Sequence, residues 1–224
     1  MDVLLLVSAS DPGRRVPQHA AVIDAAKAAG VRRIVYTSIL RADTTTIALA
    51  PDHKATEELI RASGIPFTML RNGWYTENYT AQIGQYLAQG SITSATDDAP
   101  VAAATRADYA AVAAAAMTGE GHAGAVYELG GTPFTMTDLA ANITEATGTS
   151  VVHHQVSAAE LTAILASVGL DEGTAQFVAG LDVATARGEL DTSSDDLTRL
   201  LGRPSTPLAD AVRAAVPAAT PAGG

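Results

Sequence analysis

One short stretch of the chain carries most of the side chains that could bind a small molecule. An apolar run at residues 67–70 predicts a buried strand, and charged, amide and aromatic residues follow it at once: Arg71, Asn72, Gly73, Trp74, Tyr75, Glu77 and Asn78. In open α/β sheets, ligands bind beyond the carboxyl ends of the strands. Trp74 is the only tryptophan of the chain. We therefore predict a binding surface here; the alternative is that Trp74 and Tyr75 only cover the end of the strand.

Several catalytic mechanisms are excluded by the motifs that the sequence lacks. The two lysines, Lys27 and Lys54, follow Ile23 and Ala50 by four positions, so no Tyr-x-x-x-Lys pair exists. There is no Gly-x-Ser-x-Gly elbow, no Walker A loop and no His-Glu-x-x-His helix. Without cysteine the sequence offers neither a thiolate nucleophile nor a thiolate metal site. Because these motifs are absent, the sequence identifies no catalytic residue and predicts no metal site.

Two further pairs of polar residues have both a structural and a functional interpretation. His53 and Glu57 are four residues apart on a predicted helix, where an exposed pair would slightly stabilise that helix. This interpretation is favoured over one in which His53 reaches a ligand, because no second residue for acid–base catalysis is visible. Arg106 and Asp108 lie in the first turn of another helix, within a Thr-x-x-Asp capping box. We expect them to cap that helix rather than to contact a ligand.

Alternating strands and helices would bring the predicted binding residues together. The pattern up to residue 72 is strand, helix, strand, helix, strand, and the short connections are typical of right-handed βαβ crossovers. The predicted strands end in small or polar residues, namely Ser8-Ala9-Ser10, Thr37-Ser38 and Asn72-Gly73. Because the carboxyl ends of parallel strands meet at one edge, these residues predict one polar rim. We expect a doubly wound α/β sheet with a smaller, helix-rich carboxyl-terminal lobe.

Composition narrows the class of protein further. Hydrophobic residues make up 47% of the chain and charged residues 17%, which is enough for a large core. The net charge is -10 and no basic tract occurs, so nucleic-acid binding lacks an electrostatic basis. No apolar run approaches the roughly 20 residues that a membrane span needs, and no signal peptide is evident. These features predict a soluble, cytoplasmic protein.

Several segments of the sequence resemble those of one known family. They are Leu-Leu-Leu-Val-Ser-Ala-Ser at residues 4–10, Asp-Ala-Ala-Lys-Ala-Ala-Gly at 24–30, Leu-Arg-Asn-Gly-Trp-Tyr-Thr-Glu-Asn-Tyr at 70–79 and Thr-Arg-Ala-Asp-Tyr-Ala at 105–110. Together they are similar to the NmrA-like atypical short-chain dehydrogenases, and within that family to the type 2 NAD(P)H:quinone oxidoreductases. Members of this family also do without the Tyr-x-x-x-Lys pair.

The resemblance implies a Rossmann domain that binds NADPH, with NAD as the alternative cofactor, and direct hydride transfer to a quinone. Carried over by motif, the residues along the cofactor would be Ser8, Ala9 and Ser10, and those around the nicotinamide would be Asn72, Gly73, Trp74, Tyr75, Thr76 and Glu77. Asn72 and Tyr75 are the candidates for donating hydrogen bonds to the oxyanion that develops on the quinone. Whether the protein forms a homodimer stays open.

The sequence departs from the family's pattern at its beginning. Family members start with a glycine-rich βαβ segment that holds the pyrophosphate, and no Gly-x-Gly-x-x-Gly follows the first predicted strand here. At about 30 residues per βαβ unit, roughly 60 residues are missing. We expect a truncated or mis-started chain with a partial Rossmann sheet, whose first strand has an open apolar edge. Since this puts catalysis in question, the alternative is a non-catalytic NmrA-like module for nucleotide sensing or protein interaction.

The expected domain organisation has three parts. Residues 1–90 would be the remainder of the NAD(P)-binding domain. Residues 91–216 would form a substrate lobe, with some elements returning to the main sheet. Residues 217–224, rich in alanine, proline and glycine, would be a frayed tail.

Overall fold

The computed structural model describes residues 2–9 and 13–216, so Ser10 and the tail at 217–224 lie outside the described residues. In chain order, the elements are β1 (Val3–Leu6), α1 (Arg15–Ala28), β2 (Arg33–Ile39), α2 (Ala50–Ser63), β3 (Phe67–Asn72), α3 (Glu77–Thr80), α4 (Ile83–Gln89), β4 (Ser91–Ser94), α5 (Arg106–Thr118), β5 (Val126–Leu129), α6 (Met136–Thr147), β6 (Val152–Gln155), α7 (Ala158–Ser167), α8 (Glu172–Ala186), α9 (Asp196–Leu201) and α10 (Leu208–Ala215).

Four parallel strands in the order β1-β2-β3-β5 form the main sheet. Leu4 of β1 pairs with Ile34 of β2, which in turn pairs with Phe67 of β3. Every residue of β2 and β3 after the first of each strand is buried, and Ile34 has no solvent exposure. Such runs are typical of parallel strands that are covered on both faces. Within the described residues, β1 lies at one edge of this sheet and β5 at the other.

Helices cover both faces of the main sheet. On one face, Tyr36 packs in a cluster with Ile23 of α1 and Ile60 of α2. On the other face, Val35 packs in a cluster with Val112 of α5. Because side chains alternate along a strand, neighbouring residues of β2 serve the two faces. The predicted doubly wound α/β fold is confirmed.

A smaller lobe follows and is mainly helical. The parallel pair β4 and β6 forms a second sheet, and α6 and α10 pack beside it around Ile92, Leu139 and Val212. The strand β5 belongs to the main sheet although it comes after β4, so the chain crosses between the two parts. The predicted boundaries of the parts stay predictions. Among the described residues, no helix is both long and apolar enough to cross a membrane.

Residues 101–104 connect the lobe to the sheet through their backbone. The N–H of Ala102 donates to the carbonyl of Leu190 at 2.9 Å, and the N–H of Ala104 donates to the carbonyl of Trp74 at 3.1 Å. All four residues of the segment are buried. The loop that carries Trp74 is therefore fixed to the lobe as well as to the end of β3.

Candidate functional site

A cavity of about 260 Å³ lies at the carboxyl ends of β1, β2 and β3. Six of the residues predicted from the sequence line it: Ser8, Ala9, Asn72, Gly73, Trp74 and Tyr75. A second cavity of about 330 Å³ adjoins the first and shares Ser8, Asn72 and Tyr75 with it. The three strand ends thus form one polar rim, as the alternation of strands and helices predicts.

Two of the other predicted residues, Thr76 and Glu77, do not line this cavity, and the third lies outside the described residues. Thr76 is buried, and its N–H donates to the carbonyl of Ala104 at 3.0 Å. The carboxylate of Glu77 accepts from the N–H of Arg106 at 2.9 and 3.1 Å. Ser10 lies outside the described residues. The cofactor contacts predicted for Ser10, Thr76 and Glu77 stay predictions.

Two buried polar atoms at this cavity have no hydrogen-bond partner among the described residues. They are Nη1 of Arg15 and Oδ1 of Asn72, and each residue is only 6% exposed. Arg15 is held by a bond from its Nε to the carbonyl of Ala9 at 2.6 Å, while Oδ2 of Asp52 lies 3.9 Å from Nη1. Leaving a buried polar atom unpaired costs about 1–3 kcal/mol. A ligand with one acceptor and one donor would satisfy both atoms.

His53 also lines the cavity, so its interpretation as half of an exposed helix pair is wrong. The side chain is buried, and Nδ1 lies 3.0 Å from the hydroxyl oxygen of Tyr36. Burial, reinforced by the positive charge of Arg15, lowers the pKa of His53 to about 4. Burial also raises the pKa of Tyr36 above its ordinary range. The imidazole is therefore neutral at pH 7 and can exchange hydrogen bonds, but it is not a cationic acid.

Glu57 is the centre of a buried ionic network beneath the cavity. Its two carboxylate oxygens accept from Nε and Nη2 of Arg71, both at 2.9 Å, and one of them also accepts from the hydroxyl of Ser38 at 2.7 Å. Nη1 of Arg71 reaches Glu128 at 2.9 Å and Asp43 at 3.0 Å. Burial lowers the pKa of Arg71, but its bonds to Glu57 and Glu128 outweigh that effect and raise it. Arg71 thus ties β3 to α2 and β5 instead of lining the cavity.

The first turn of α5 differs in part from the predicted capping box. Thr105 does cap the helix, since its hydroxyl accepts from the N–H of Asp108 at 3.1 Å. The carboxylate of Asp108 is fully buried and pairs with Arg203 at 2.7 Å. Arg106 lines both cavities, with its guanidinium carbon 4.9 Å from the centre of the Tyr75 ring. The prediction that Arg106 acts only as a capping residue is wrong.

Arg15, His53 and Arg106 were not among the predicted site residues. Each of them lies in or near the first turn of a helix that follows a strand end or a loop at the rim. In parallel α/β folds, such helix starts face the ligand edge of the sheet. Applied to the predicted helices, this rule would have identified them.

Residues 1–120, more than half of the chain, match the model of a family described as NAD(P)H-binding. The chain is also 47% identical over 213 residues to quinone oxidoreductase 2 of Escherichia coli strain K12, covering 95% of this chain and 74% of that protein. This chain belongs to the NAD(P)H-binding, NmrA-like family. The resemblance drawn from the sequence motifs is confirmed.

Solved structures agree with this family membership. One is a crystal structure of the NADPH-dependent quinone oxidoreductase of Escherichia coli in complex with NADPH, with a TM-score of 0.91 and 47% identity over 95% of this chain. Another is the triphenylmethane reductase of Citrobacter sp. in complex with NADP(H), with a TM-score of 0.90 and 35% identity over 96% of this chain. This NmrA-like chain spans 75% and 77% of those two chains.

Proposed function

We propose that this NmrA-like protein is an NAD(P)H-dependent reductase that transfers a hydride to a quinone. The observation that carries the proposal is the pair of unpartnered atoms on Arg15 and Asn72 at the rim cavity. A carboxamide, such as that of nicotinamide, has a carbonyl acceptor for Arg15 and an N–H donor for Asn72. These two residues therefore fit the carboxamide end of the cofactor. NADPH is the proposed cofactor because the E. coli relative was solved in complex with it.

The chain's own residues have a limited task in this reaction. Bound NAD(P)H would supply the hydride, and a quinone is already electrophilic, so placement and hydrogen bonding to the developing oxyanion are what remain. Asn72 and Tyr75 line both rim cavities, and their amide and hydroxyl groups can donate to a quinone oxygen. Neutral His53 can donate a hydrogen bond there as well. The proton that completes the hydroquinone comes from solvent.

The remaining predicted residues take part in this proposal as contacts. Ser8, Ala9 and Ser10 would lie along the cofactor, while Gly73, Trp74, Thr76 and Glu77 would enclose the nicotinamide side together with Asn72 and Tyr75. We also propose that the substrate is a quinone, that the protein is cytoplasmic and that it forms a homodimer. These three proposals are based on the family resemblance and on composition. Analytical ultracentrifugation of the purified protein measures the oligomeric state directly.

A two-step titration tests the proposed function. NADPH is added while its nicotinamide fluorescence is followed, and 1,4-benzoquinone is then added while the NADPH absorbance is recorded. We expect saturable binding followed by oxidation of NADPH that depends on the protein. Binding without any oxidation would support the non-catalytic nucleotide-sensing alternative and would contradict the reductase. Repeating the titration with NADH ranks the two cofactors.

A matched pair of asparagine variants tests the role of the rim. Asn72→Ala removes the unpartnered carbonyl and should weaken NADPH binding about tenfold, as expected for the loss of one hydrogen bond. Asn142→Ala is the control, because Asn142 is half-buried on α6, lies away from the rim cavity and has a side chain that bonds only to the carbonyl of Asp138 among the described residues. Equal affinities for the two variants would show that Asn72 does not contact the cofactor.

A further inference from the structure

Two more cavities continue from the rim cavity into the carboxyl-terminal lobe. The first, of about 160 Å³, is lined by Trp74 and Asn78, which also line the rim cavity. The second, of about 180 Å³, shares with the first the residues Tyr79, Gln82, Val178 and Asp182. Each cavity thus shares wall residues with the next, from the candidate site to the space between α4, α7 and α8. We call the two cavities inside the lobe the lobe channel.

Two tyrosine hydroxyls and one carboxyl group line the lobe channel. The hydroxyls of Tyr79 and Tyr86 bond to no other described residue. Burial raises the pKa of both tyrosines above the ordinary range, so each hydroxyl keeps its proton and can donate or accept. The carboxyl group of Asp182 lies between the two cavities and accepts from the N–H of Ala95 at 2.8 Å. These groups can bond to oxygen atoms of a bound molecule.

The rest of the lobe channel combines apolar side chains with uncharged polar ones and has no positive charge among the described residues. Its walls include Ile92, Met136, Leu161, Ile164, Leu165 and Val168. Among the described residues, no lysine, arginine or histidine lines either cavity. An anionic group would find no compensating cation there, whereas an apolar chain needs none. The lobe channel therefore suits an apolar chain and disfavours an anionic one.

We infer that the lobe channel binds the side chain of a substituted quinone whose ring lies at the rim cavity. This inference rests on the proposed quinone reductase function and narrows it to a substrate class. The preferred substrates are quinones with a long, uncharged, largely apolar substituent. Unsubstituted quinones bind through the ring alone, and quinones whose chain ends in a sulfonate bind poorly.

One valine lies where the two cavities of the channel meet, and it offers a selective test. Val178 on α8 is half-buried and lines both cavities, so Val178→Phe would fill the channel and leave the rim cavity unchanged. Val152 on β6 is 48% exposed and lines neither cavity, so Val152→Phe is the matched control. The only tryptophan, Trp74, lies at the start of the channel and reports binding through quenching of its fluorescence.

The experiment compares 1,4-benzoquinone, the same ring with a decyl chain, and the same ring with a sulfonate-terminated chain of equal length. In the wild type and in Val152→Phe, the decyl quinone should bind at least about tenfold more tightly than the parent, since each buried methylene contributes several-fold. Val178→Phe should abolish that preference and leave the affinity for the parent quinone unchanged. The sulfonated quinone should show no gain over the parent in any of the three proteins.

Two results would overturn the inference. One is equal affinity of the wild type for the decyl and the parent quinones, and the other is a decyl preference that survives in Val178→Phe. Turnover is measured separately with NADPH and the same quinones. If the decyl quinone binds more tightly but no quinone oxidises NADPH, the proposed function is wrong and the channel inference is supported. If NADPH is oxidised but the decyl quinone binds no more tightly than the parent, the channel inference is wrong and the proposed function is supported.

Discussion

Acid should destabilise this protein through His53, and a single substitution should remove the effect. The pKa of His53 is lowered from 6.5 to about 4 in the folded state, chiefly by burial. As the pH falls below 6.5, the unfolded chain therefore takes up the proton first, and stability is lost until about pH 4. Lowering the pKa of His53 from 6.5 to about 4 corresponds to about 3 kcal/mol of folding stability. About 2 kcal/mol of this stability are lost between pH 7 and pH 4.5.

Urea denaturation of three proteins at about pH 7 and about pH 4.5 measures this loss. His53→Asn keeps a polar atom near the hydroxyl of Tyr36 but does not titrate, so its stability should fall by about 2 kcal/mol less than that of the wild type. His154→Asn, at an exposed position of β6, should behave as the wild type does. If the wild type and His53→Asn lose the same free energy of unfolding, His53 is not held neutral by burial and the reasoning is refuted.

Three further variants test other parts of the structure. Arg71→Met leaves buried Glu57 without its main partner and should lower the free energy of unfolding, measured in urea, by about 3–5 kcal/mol. An unchanged midpoint of urea unfolding would contradict a structural role for the network. Gly131→Ala places a Cβ 2.2 Å from the carbonyl oxygen of Ala103 and should lower the free energy of unfolding by about 1–3 kcal/mol. The control Gly84→Ala, whose Cβ has no atom within 4 Å, should not destabilise the protein. Equal thermal midpoints of the two variants would refute the close approach. Arg15→Met should weaken NADPH binding about tenfold in the fluorescence titration, because it removes the unpartnered Nη1; full affinity would exclude Arg15 from the cofactor site.

The main sheet and its ligand edge were predictable because their signals are local. An apolar run such as residues 67–70 identifies a buried strand, and a parallel arrangement then places its polar end beside the ends of the neighbouring strands. The strand pattern thus predicts the position of Asn72 and Trp74 at the cavity without any knowledge of long-range contacts. The fold class and six of the cavity residues therefore follow from sequence patterns alone.

The ionic network could not be predicted in the same way. Glu57 is four residues from His53 on a helix, a spacing that on its own indicates an exposed pair. In the structure, the carboxylate meets Arg71 from a neighbouring strand, and Glu128 from the next strand completes the network. Contacts between residues so far apart in sequence leave no periodic pattern. The buried positions of His53 and Glu57 depend on how α2 packs against the sheet, which spacing cannot reveal.

The lobe channel was hidden from the sequence for a related reason. Its walls come from separate segments at residues 74–94, 136 and 161–190. Each segment alone predicts an ordinary amphipathic element. Only their packing leaves Tyr86 and Asp182 facing the same space.

The backbone of residues 101–104 limits how the site can open to admit its ligands. A hinge movement of the whole lobe would have to break the bonds from Ala102 to Leu190 and from Ala104 to Trp74 at the same time. Buried amides of this kind exchange with solvent only in large opening events. In contrast, α7 and α8 pack mainly against each other. The far cavity of the lobe channel already lies at the surface there, since Ile164 and Val168 in its wall are 41% and 64% exposed.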